Sequence, residues 1–83
     1  MKYFDGNCYS NSVFHDTWKH ALQEYGKGMD DSCPVDQRKD HLKTALQILR
    51  LVPDSTNDEG VSLDDIYERE RAISYIEDVL YEI

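Results

Sequence analysis

The residues of this chain that could bind a metal or act as nucleophiles are three histidines and two cysteines. His15 and His20 are five positions apart, about 140° around a helix, whereas two metal ligands on one helix need a spacing of three or four. Cys8 and Cys33 are distant from each other, and neither belongs to a C-x-x-C pair. The pattern therefore predicts no metal site, and it predicts surface or boundary positions for His15, His20 and His41.

Two cysteine and histidine pairs, Cys8 with His15 and Cys33 with His41, supply the residue types of a thiol and its general base. No spacing brings either pair together, and small cysteines are usually packing residues. In a reducing cytosol both are expected to be free thiols. The chain has no glycine-rich phosphate-binding loop and no H-E-x-x-H motif, and its acidic linker fails the spacing of an EF-hand. We therefore expect neither an enzyme nor a bound cofactor.

Length and charge favour a binding protein. A chain of 83 residues has little volume for an enclosed substrate pocket. Its net charge of −8 repels phosphates, so direct binding to nucleic acid or to an anionic membrane is disfavoured. The N-terminus lacks the apolar run of a signal peptide, and no stretch of about 20 apolar residues could span a bilayer. These features predict a soluble cytoplasmic protein.

Three stretches have apolar residues at the spacing of one helix face. They predict helices over 12–25, 34–52 and 63–82, with an acidic, turn-rich loop over 53–62. The expected inward positions are Phe14, Trp18, Ala21, Leu22 and Tyr25, then Val35, Leu42, Ala45, Leu46, Leu49 and Val52, and finally Ile66, Ile73, Ile76, Leu80 and Ile83. Such helices with short connections favour an all-α fold, a small three-helix bundle that forms one domain over 1–83.

Residues that start or stop helices set the predicted bounds of the first two. Asn11 or Ser12 is expected to cap the first helix, and Gly26 with Gly28 to end it. Pro53 should stop the second helix, because the residue before a proline disfavours the helical conformation.

The third helix has the clearest start signal. Ser62 and Asp65 have the spacing of a capping box, and Val61 is placed to pack on Ile66 as a hydrophobic staple.

The first ten residues are predicted to form a short N-terminal arm or a mini-hairpin. Asp5 and Gly6 form a turn dipeptide between aromatic-flanked segments. An isolated hairpin is barely stable, so an arm laid across the bundle through Tyr3, Phe4 and Tyr9 is favoured.

The net negative charge of the chain comes entirely from its C-terminal part. The first 52 residues carry seven acidic and seven basic side chains, whereas the last 31 carry ten acidic and two basic ones. The second helix carries Arg38, Lys39, Lys43 and Arg50, and we expect these bases to give the bundle internal charge complementarity.

The third helix carries a predicted protein-binding surface. On a helical wheel an acidic stripe spaced by three or four lies away from the apolar side, with Tyr67 and Tyr81 beside it. Carboxylates steer a basic partner and tyrosines are enriched at interface hot spots, although a charged helix face is also often merely solvated. The predicted partner-binding residues are Asp58, Glu59, Asp64, Tyr67, Glu68, Arg71, Tyr75, Asp78, Tyr81 and Glu82.

In size, charge and lack of a catalytic motif, the chain resembles the small acidic proteins that phages use against host defences, including anti-CRISPR proteins and other DNA mimics. The resemblance is one of composition. It implies an inhibitor that covers the DNA- or RNA-binding surface of a basic protein in the host cytoplasm. One helix presents charges more sparsely than DNA does, so linker acids or a second copy in a homodimer would have to add to them.

The alternative is a non-inhibitory interaction module, such as an adaptor, an antitoxin-like or immunity-like partner, or an accessory subunit. In that case an apolar edge left exposed by the small core, at Leu51, Ile48 or Tyr25, would carry recognition. A homodimer is compatible with both hypotheses. Salt distinguishes them, because ionic contacts weaken as ionic strength rises and apolar contacts change little.

Overall fold

The three amphipathic segments form three helices in the computed structural model, which describes residues 4–83. Helix α1 spans His15–Gly28, α2 spans Val35–Leu49 and α3 spans Leu63–Glu82. No strand occurs in the described residues, so the fold is the predicted small all-α bundle. Within them, no helix is both long enough and apolar enough to cross a bilayer.

The helices run up, down and up. Arg38 near the start of α2 donates to the carbonyl of Gly28 at the end of α1, over 2.9 Å. Arg69 near the start of α3 donates to the carbonyl of Leu49 at the end of α2, also over 2.9 Å. The start of α1, the end of α2 and the start of α3 therefore share one end of the molecule, which also holds residues 50–62. We call this the linker end.

One hydrophobic core lies between the helices and the N-terminal arm. Its largest fully buried side chains are Trp18, Tyr9, Tyr25, Leu42, Leu49 and Ile76. Burying an aliphatic side chain this completely stabilises the fold by about 1.5–3 kcal/mol. Val35 was predicted to face inward but is 48% exposed. Arg38, three residues after Val35, bonds to Gly28 at the end of α1, so Val35 lies beyond the end of that helix.

Helix α1 begins at His15, later than the predicted residue 12. The hydroxyl of Ser12 accepts a hydrogen bond from the Phe14 N–H. The backbone N–H and the hydroxyl of Ser12 both donate to the carbonyl of Tyr9. These bonds hold residues 9–14 in consecutive turns, so the first α-helical bond runs from the Trp18 N–H to Phe14. The predicted caps at positions 11 and 12 are wrong, and Phe14 is the N-cap.

Helix α1 also ends later than predicted, at Gly28 rather than residue 25. Gly28 permits close helix packing: a Cβ at this position would lie 2.5 Å from Cγ of Leu42 and 3.2 Å from the carbonyl oxygen of Arg38. Because glycine has no side chain, the backbone of α1 can approach α2 this closely.

Helix α2 ends at Leu49, before the predicted residue 52. Arg69 is only 8% exposed, and its guanidinium bonds both to the carbonyl of Leu49 and, over 2.7 Å, to the carboxylate of Glu70. A cation at the C-terminus of a helix satisfies an orphan carbonyl and interacts favourably with the helix dipole. The chain then turns, with the Leu51 N–H donating to Ile48, and does not continue the helix.

Helix α3 begins with the predicted capping box. The Ser62 hydroxyl accepts from the Asp65 N–H over 3.2 Å, and the Asp65 carboxylate accepts from the Ser62 N–H over 3.0 Å. Val61 is buried, and Ile66 packs against the same core. The bounds of α3 agree with the predicted 63–82.

The N-terminal arm lies between α1 and α3. The ring of Phe4 contacts Tyr25 of α1 and Tyr75 of α3, with centroid separations of 5.4 and 5.7 Å. The predicted contacts of the arm through Phe4 and Tyr9 are present, and the predicted contact through Tyr3 lies outside the described residues. Aromatic rings of the arm therefore join two helices that run in the same direction.

Tyr9 anchors the arm. Its side chain is fully buried, and its ring centroid lies 5.5 Å from that of Trp18. Its hydroxyl donates to the carbonyl of Pro53 over 2.9 Å. The backbone at Tyr9 has a φ of 60°, which is uncommon outside glycine and costs about 1–3 kcal/mol. Two side chains of α1 also bind the backbone of the arm. The indole N–H of Trp18 donates to the carbonyl of Asp5, and a ring nitrogen of His15 contacts the carbonyl of Cys8.

Replacing Arg69 by alanine should lower the free energy of unfolding by about 2–4 kcal/mol, because the buried end of α2 loses its donor. The matched control is Arg71→Ala on the same helix. Arg71 is 72% exposed and pairs with Glu68 at 3.7 Å, so its loss should cost less than about 1 kcal/mol. Urea unfolding followed by circular dichroism measures both, and equal losses would contradict the role assigned to Arg69.

Tyr9→Phe should change how stability depends on pH. Burial raises the pKa of the Tyr9 hydroxyl to about 12, although the Arg69 charge opposes the rise. Because the pKa is higher in the folded protein than in the unfolded chain, the neutral hydroxyl stabilises the fold. This stabilisation is complete below about pH 10, the pKa in the unfolded chain, and is lost as the pH rises through about 12. Tyr9→Phe should cost about 1 kcal/mol at pH 7, through the lost hydrogen bond, and should make the alkaline loss shallower.

Thermal unfolding between neutral and alkaline pH measures this effect. Tyr81→Phe is the control, since Tyr81 is 93% exposed. An alkaline slope unchanged by Tyr9→Phe would contradict the prediction.

Candidate protein-binding surface

Helix α3 presents a solvent-exposed face along its whole length, which we call the outer face. Seven of the predicted partner-binding residues lie exposed on it: Asp64, Tyr67, Arg71, Tyr75, Asp78, Tyr81 and Glu82. Glu68 differs from them, because its side chain is only 20% exposed and pairs with Arg71. The outer face thus brings together the predicted acidic and tyrosine residues of α3, with Glu68 at its edge.

The three tyrosines of the outer face have different surroundings. Tyr81 is 93% exposed and Tyr67 58% exposed. Tyr75 is also exposed, but its ring packs edge-on against Phe4 and Tyr25. Tyr75 therefore helps to hold the arm, whereas Tyr67 and Tyr81 have most of their rings free for a partner.

The sequence prediction missed Leu63 on this face. Leu63 is 54% exposed, and it shares a line along α3 with Tyr67, Ser74 and Tyr81, within about 40° of rotation. An apolar residue one turn before a surface tyrosine was the signal that could have identified it.

The carboxylates of the outer face and linker have few internal partners. The ion pairs of α3 within residues 4–83 are Arg69 with Glu70 and Arg71 with Glu68. Of the α2 bases, Arg38 pairs with Asp31 at 3.8 Å, so the predicted charge complementarity includes this contact. No ion pair joins α2 to α3 in this part of the chain. Arg69 bonds to a neutral carbonyl instead. The exposed linker and α3 carboxylates that have no ion pair there are Asp54, Asp58, Glu59, Asp64, Glu77, Asp78 and Glu82.

The predicted linker residues Asp58 and Glu59 lie exposed at the linker end, against the turns that precede α1. Gly60 has a φ of 79°, and a Cβ there would overlap the carbonyl oxygen of Asn11. Only glycine tolerates both this backbone conformation and this close approach, so Gly60 allows the linker to pack against the turns that precede α1. A groove of about 360 Å³ lies between the two segments, lined by Asn11, Ser12, Val13, Phe14, Asp58 and Glu59.

A larger groove of about 700 Å³ lies between the arm and α1. It is lined by Phe4, Gly6, Lys19, Leu22, Gln23, Gly26, Lys27 and Asp30. Lys27 also lies 3.6 Å from the carboxylate of Glu24. Because charges of both signs surround this groove, its electrostatics favour neither a cation nor an anion.

Each of the three histidines has a polar neighbour within the fold. His41 of α2 bonds to Glu24 of α1 over 2.7 Å, and this hydrogen bond lowers the pKa of the Glu24 carboxyl. His20 is exposed and lies 3.8 Å from Glu24, while His15 is half-buried beside the arm. The histidines thus occupy the predicted surface and boundary positions. No group of histidine, cysteine and acidic side chains in residues 4–83 has an arrangement that could hold a metal ion.

Both cysteines are free thiols in different surroundings. Cys8 is buried, and burial, with a smaller effect from nearby carboxylates such as Asp5, raises the pKa of its thiol to about 12. His15 contacts the carbonyl of Cys8 and not its thiol. Cys33 is half-buried, with its sulfur 3.9 Å from the Asp30 carboxylate.

The two thiols should differ in reactivity. Cys33 should be alkylated by iodoacetamide at mildly alkaline pH at least about tenfold faster than Cys8, because only the thiolate reacts and burial suppresses the thiolate of Cys8. Peptide mass spectrometry after timed quenching measures both rates, and labelling in urea should make them similar. Equal rates in the folded protein would contradict this assignment.

Comparison of the chain with protein-family models, with curated proteins and with solved structures finds no match.

Proposed function

We propose that this protein is a small inhibitor that binds a basic, nucleic-acid-handling protein and covers the surface through which that protein binds DNA or RNA. The observation that supports the proposal most is the set of exposed carboxylates on the linker and outer face that have no ion pair within residues 4–83. A basic partner would supply the missing counter-charges. Phage anti-defence proteins, including anti-CRISPR proteins, are the class of inhibitor that this composition resembles.

The C-terminal end of α3 strengthens the argument. Glu82 lies in the last turn of α3, at the negative end of the helix dipole, and this turn carries no basic residue. Each carboxylate placed there costs about 0.3–1 kcal/mol, whereas Asp64 and Asp65 in the first turn stabilise the helix. Helix stability accounts for the acids at the start of α3 and not for Glu82 at its end. We therefore assign Glu82, with the exposed Asp78 one turn before it, to recognition.

The charge density suits a partial imitation of DNA. Seven such carboxylates over the 39 Å length of the molecule give one per about 6 Å, against one phosphate per about 3.4 Å of a single DNA strand. A homodimer would bring the density close to that of one strand. Tyr67 and Tyr81 add apolar contact area between the charges, which a partner can bury.

A non-inhibitory interaction module is the second candidate. Of the three residues proposed for its apolar edge, Ile48 and Tyr25 are buried, but Leu51 is 69% exposed. Val13 and Leu63 are also exposed, at 89% and 54%. These side chains favour a contact that does not depend on charge alone.

Charge reversal tests the inhibitor proposal. Tagged protein is incubated with a nuclease-treated bacterial lysate, and retained proteins are eluted by salt or by duplex DNA. We expect a nucleic-acid-binding protein to elute at moderate salt and to be displaced by DNA, because both compete for the same basic surface. Asp78→Lys/Glu82→Lys should reduce its retention at least about tenfold, which corresponds to about 1.4 kcal/mol.

Asp36→Lys/Asp40→Lys is the matched control. It has the same spacing and the same change in net charge, but it lies on the exposed side of α2. Equal loss with both variants would indicate a general effect of net charge and contradict the assigned face. A partner that resists both salt and DNA would contradict the inhibitor proposal and favour the interaction module.

A further inference from the structure

The linker end gathers most of the exposed apolar side chains. Val13 precedes α1, Leu51 follows α2, and Leu63 and Tyr67 lie in the first turns of α3. They are 89%, 69%, 54% and 58% exposed. Because the helices run up, down and up, residues from three separate segments meet at one end of the molecule. No single amphipathic pattern in the sequence indicates that these residues lie at the same end.

The groove at the linker end combines apolar and acidic walls. Val13 and Phe14 form its apolar side, Asp58 and Glu59 its acidic side, and no basic residue lines it. Its volume of about 360 Å³ is at the low end of the range of about 300–1,000 Å³ for ligand pockets, so it suits one or two side chains. An apolar side chain with a cationic neighbour would satisfy both walls.

The groove is held in shape before any partner binds. On one side Ser12 bonds to Tyr9, whose side chain is fixed in the core. On the other side the Val61 N–H donates to the carbonyl of Asp58, and the Val61 side chain is buried. A site that needs no rearrangement loses less conformational entropy on binding.

We infer that the partner docks on the linker end through a basic amphipathic segment, which places an apolar side chain against Val13 and Phe14 and a lysine or arginine against Asp58 and Glu59. This inference rests on the proposed function, because it names the part of a basic partner that is recognised. It goes beyond that proposal in placing the central contact at the groove, with the carboxylates of the outer face of α3 as additional charge contacts.

A defined peptide tests the inference without the natural partner. The probe is a synthetic amphipathic helix of leucine and lysine, titrated into ¹⁵N-labelled protein and followed by NMR. A peptide of equal charge made of glycine, serine and lysine controls for electrostatic attraction. We expect the amphipathic peptide to shift the resonances of residues 11–14 and 58–61, and to bind at least about tenfold more tightly than the polar peptide.

Matched variants separate the groove from the rest of the surface. Val13→Ser and Asp58→Asn/Glu59→Gln should each weaken binding of the amphipathic peptide about fivefold or more. Val35→Ser and Asp36→Asn/Asp40→Asn, exposed apolar and acidic positions on α2, should change it by less than about twofold. All four alter exposed side chains, and thermal unfolding checks that each variant is folded.

The outcomes distinguish this inference from the proposed function. If the groove variants bind like the wild type while Asp78→Lys/Glu82→Lys loses binding, the groove is excluded and the outer face of α3 stands. If groove and control variants lose binding equally, general electrostatics explains the contact and the inference fails. Absence of shifts at 11–14 and 58–61 up to about 1 mM peptide would also overturn it. Retention of a DNA-displaceable partner from the lysate tests the proposed function separately.

Discussion

The buried side chain of Tyr9 is the contact on which the arrangement of this small bundle depends. Its ring packs on Trp18 of α1, its hydroxyl reaches the carbonyl of Pro53 after α2, and its own carbonyl holds Ser12 before α1. One residue thereby links the arm, the first helix and the start of the linker. The left-handed backbone at Tyr9 persists because these contacts outweigh its conformational cost.

The attachment of α3 explains why so much of its surface is free. Helices α1 and α2 approach directly, through Gly28 against Leu42, whereas α3 meets α1 through the rings of Phe4 and Tyr75. Arg69 then fixes α3 to the end of α2 through a neutral carbonyl. Since this contact uses no carboxylate as a bridge between helices, the acids of α3 are left facing solvent.

The same packing decides where charge and apolar surface coincide. Along the outer face of α3, carboxylates alternate with exposed tyrosines, and at the linker end Asp58 and Glu59 line a groove together with Val13 and Phe14. Carboxylates attract a basic partner over a distance and orient it, while apolar contacts supply most of the affinity at short range. The linker end is where the described residues offer both in a preformed groove, next to the N-terminus of the acidic helix.

Local patterns in the sequence determined the all-α class, the three helices, the capping box at Ser62 and the confinement of negative charge to the last 31 residues. The helices and the capping box depend on residues within about two helical turns of one another, and the charge distribution follows from composition alone. The tertiary structure decided the features that depend on distant residues. These are the bounds of α1 at His15–Gly28, the end of α2 at Leu49, whose carbonyl binds Arg69, and the approach of residues 11–14 to Asp58 and Glu59. The acidic surface was therefore predictable from spacing, but its groove was not. Its two walls are separated by more than 40 positions, and contacts such as those of Tyr9 with Pro53 and Gly60 with Asn11 bring them together.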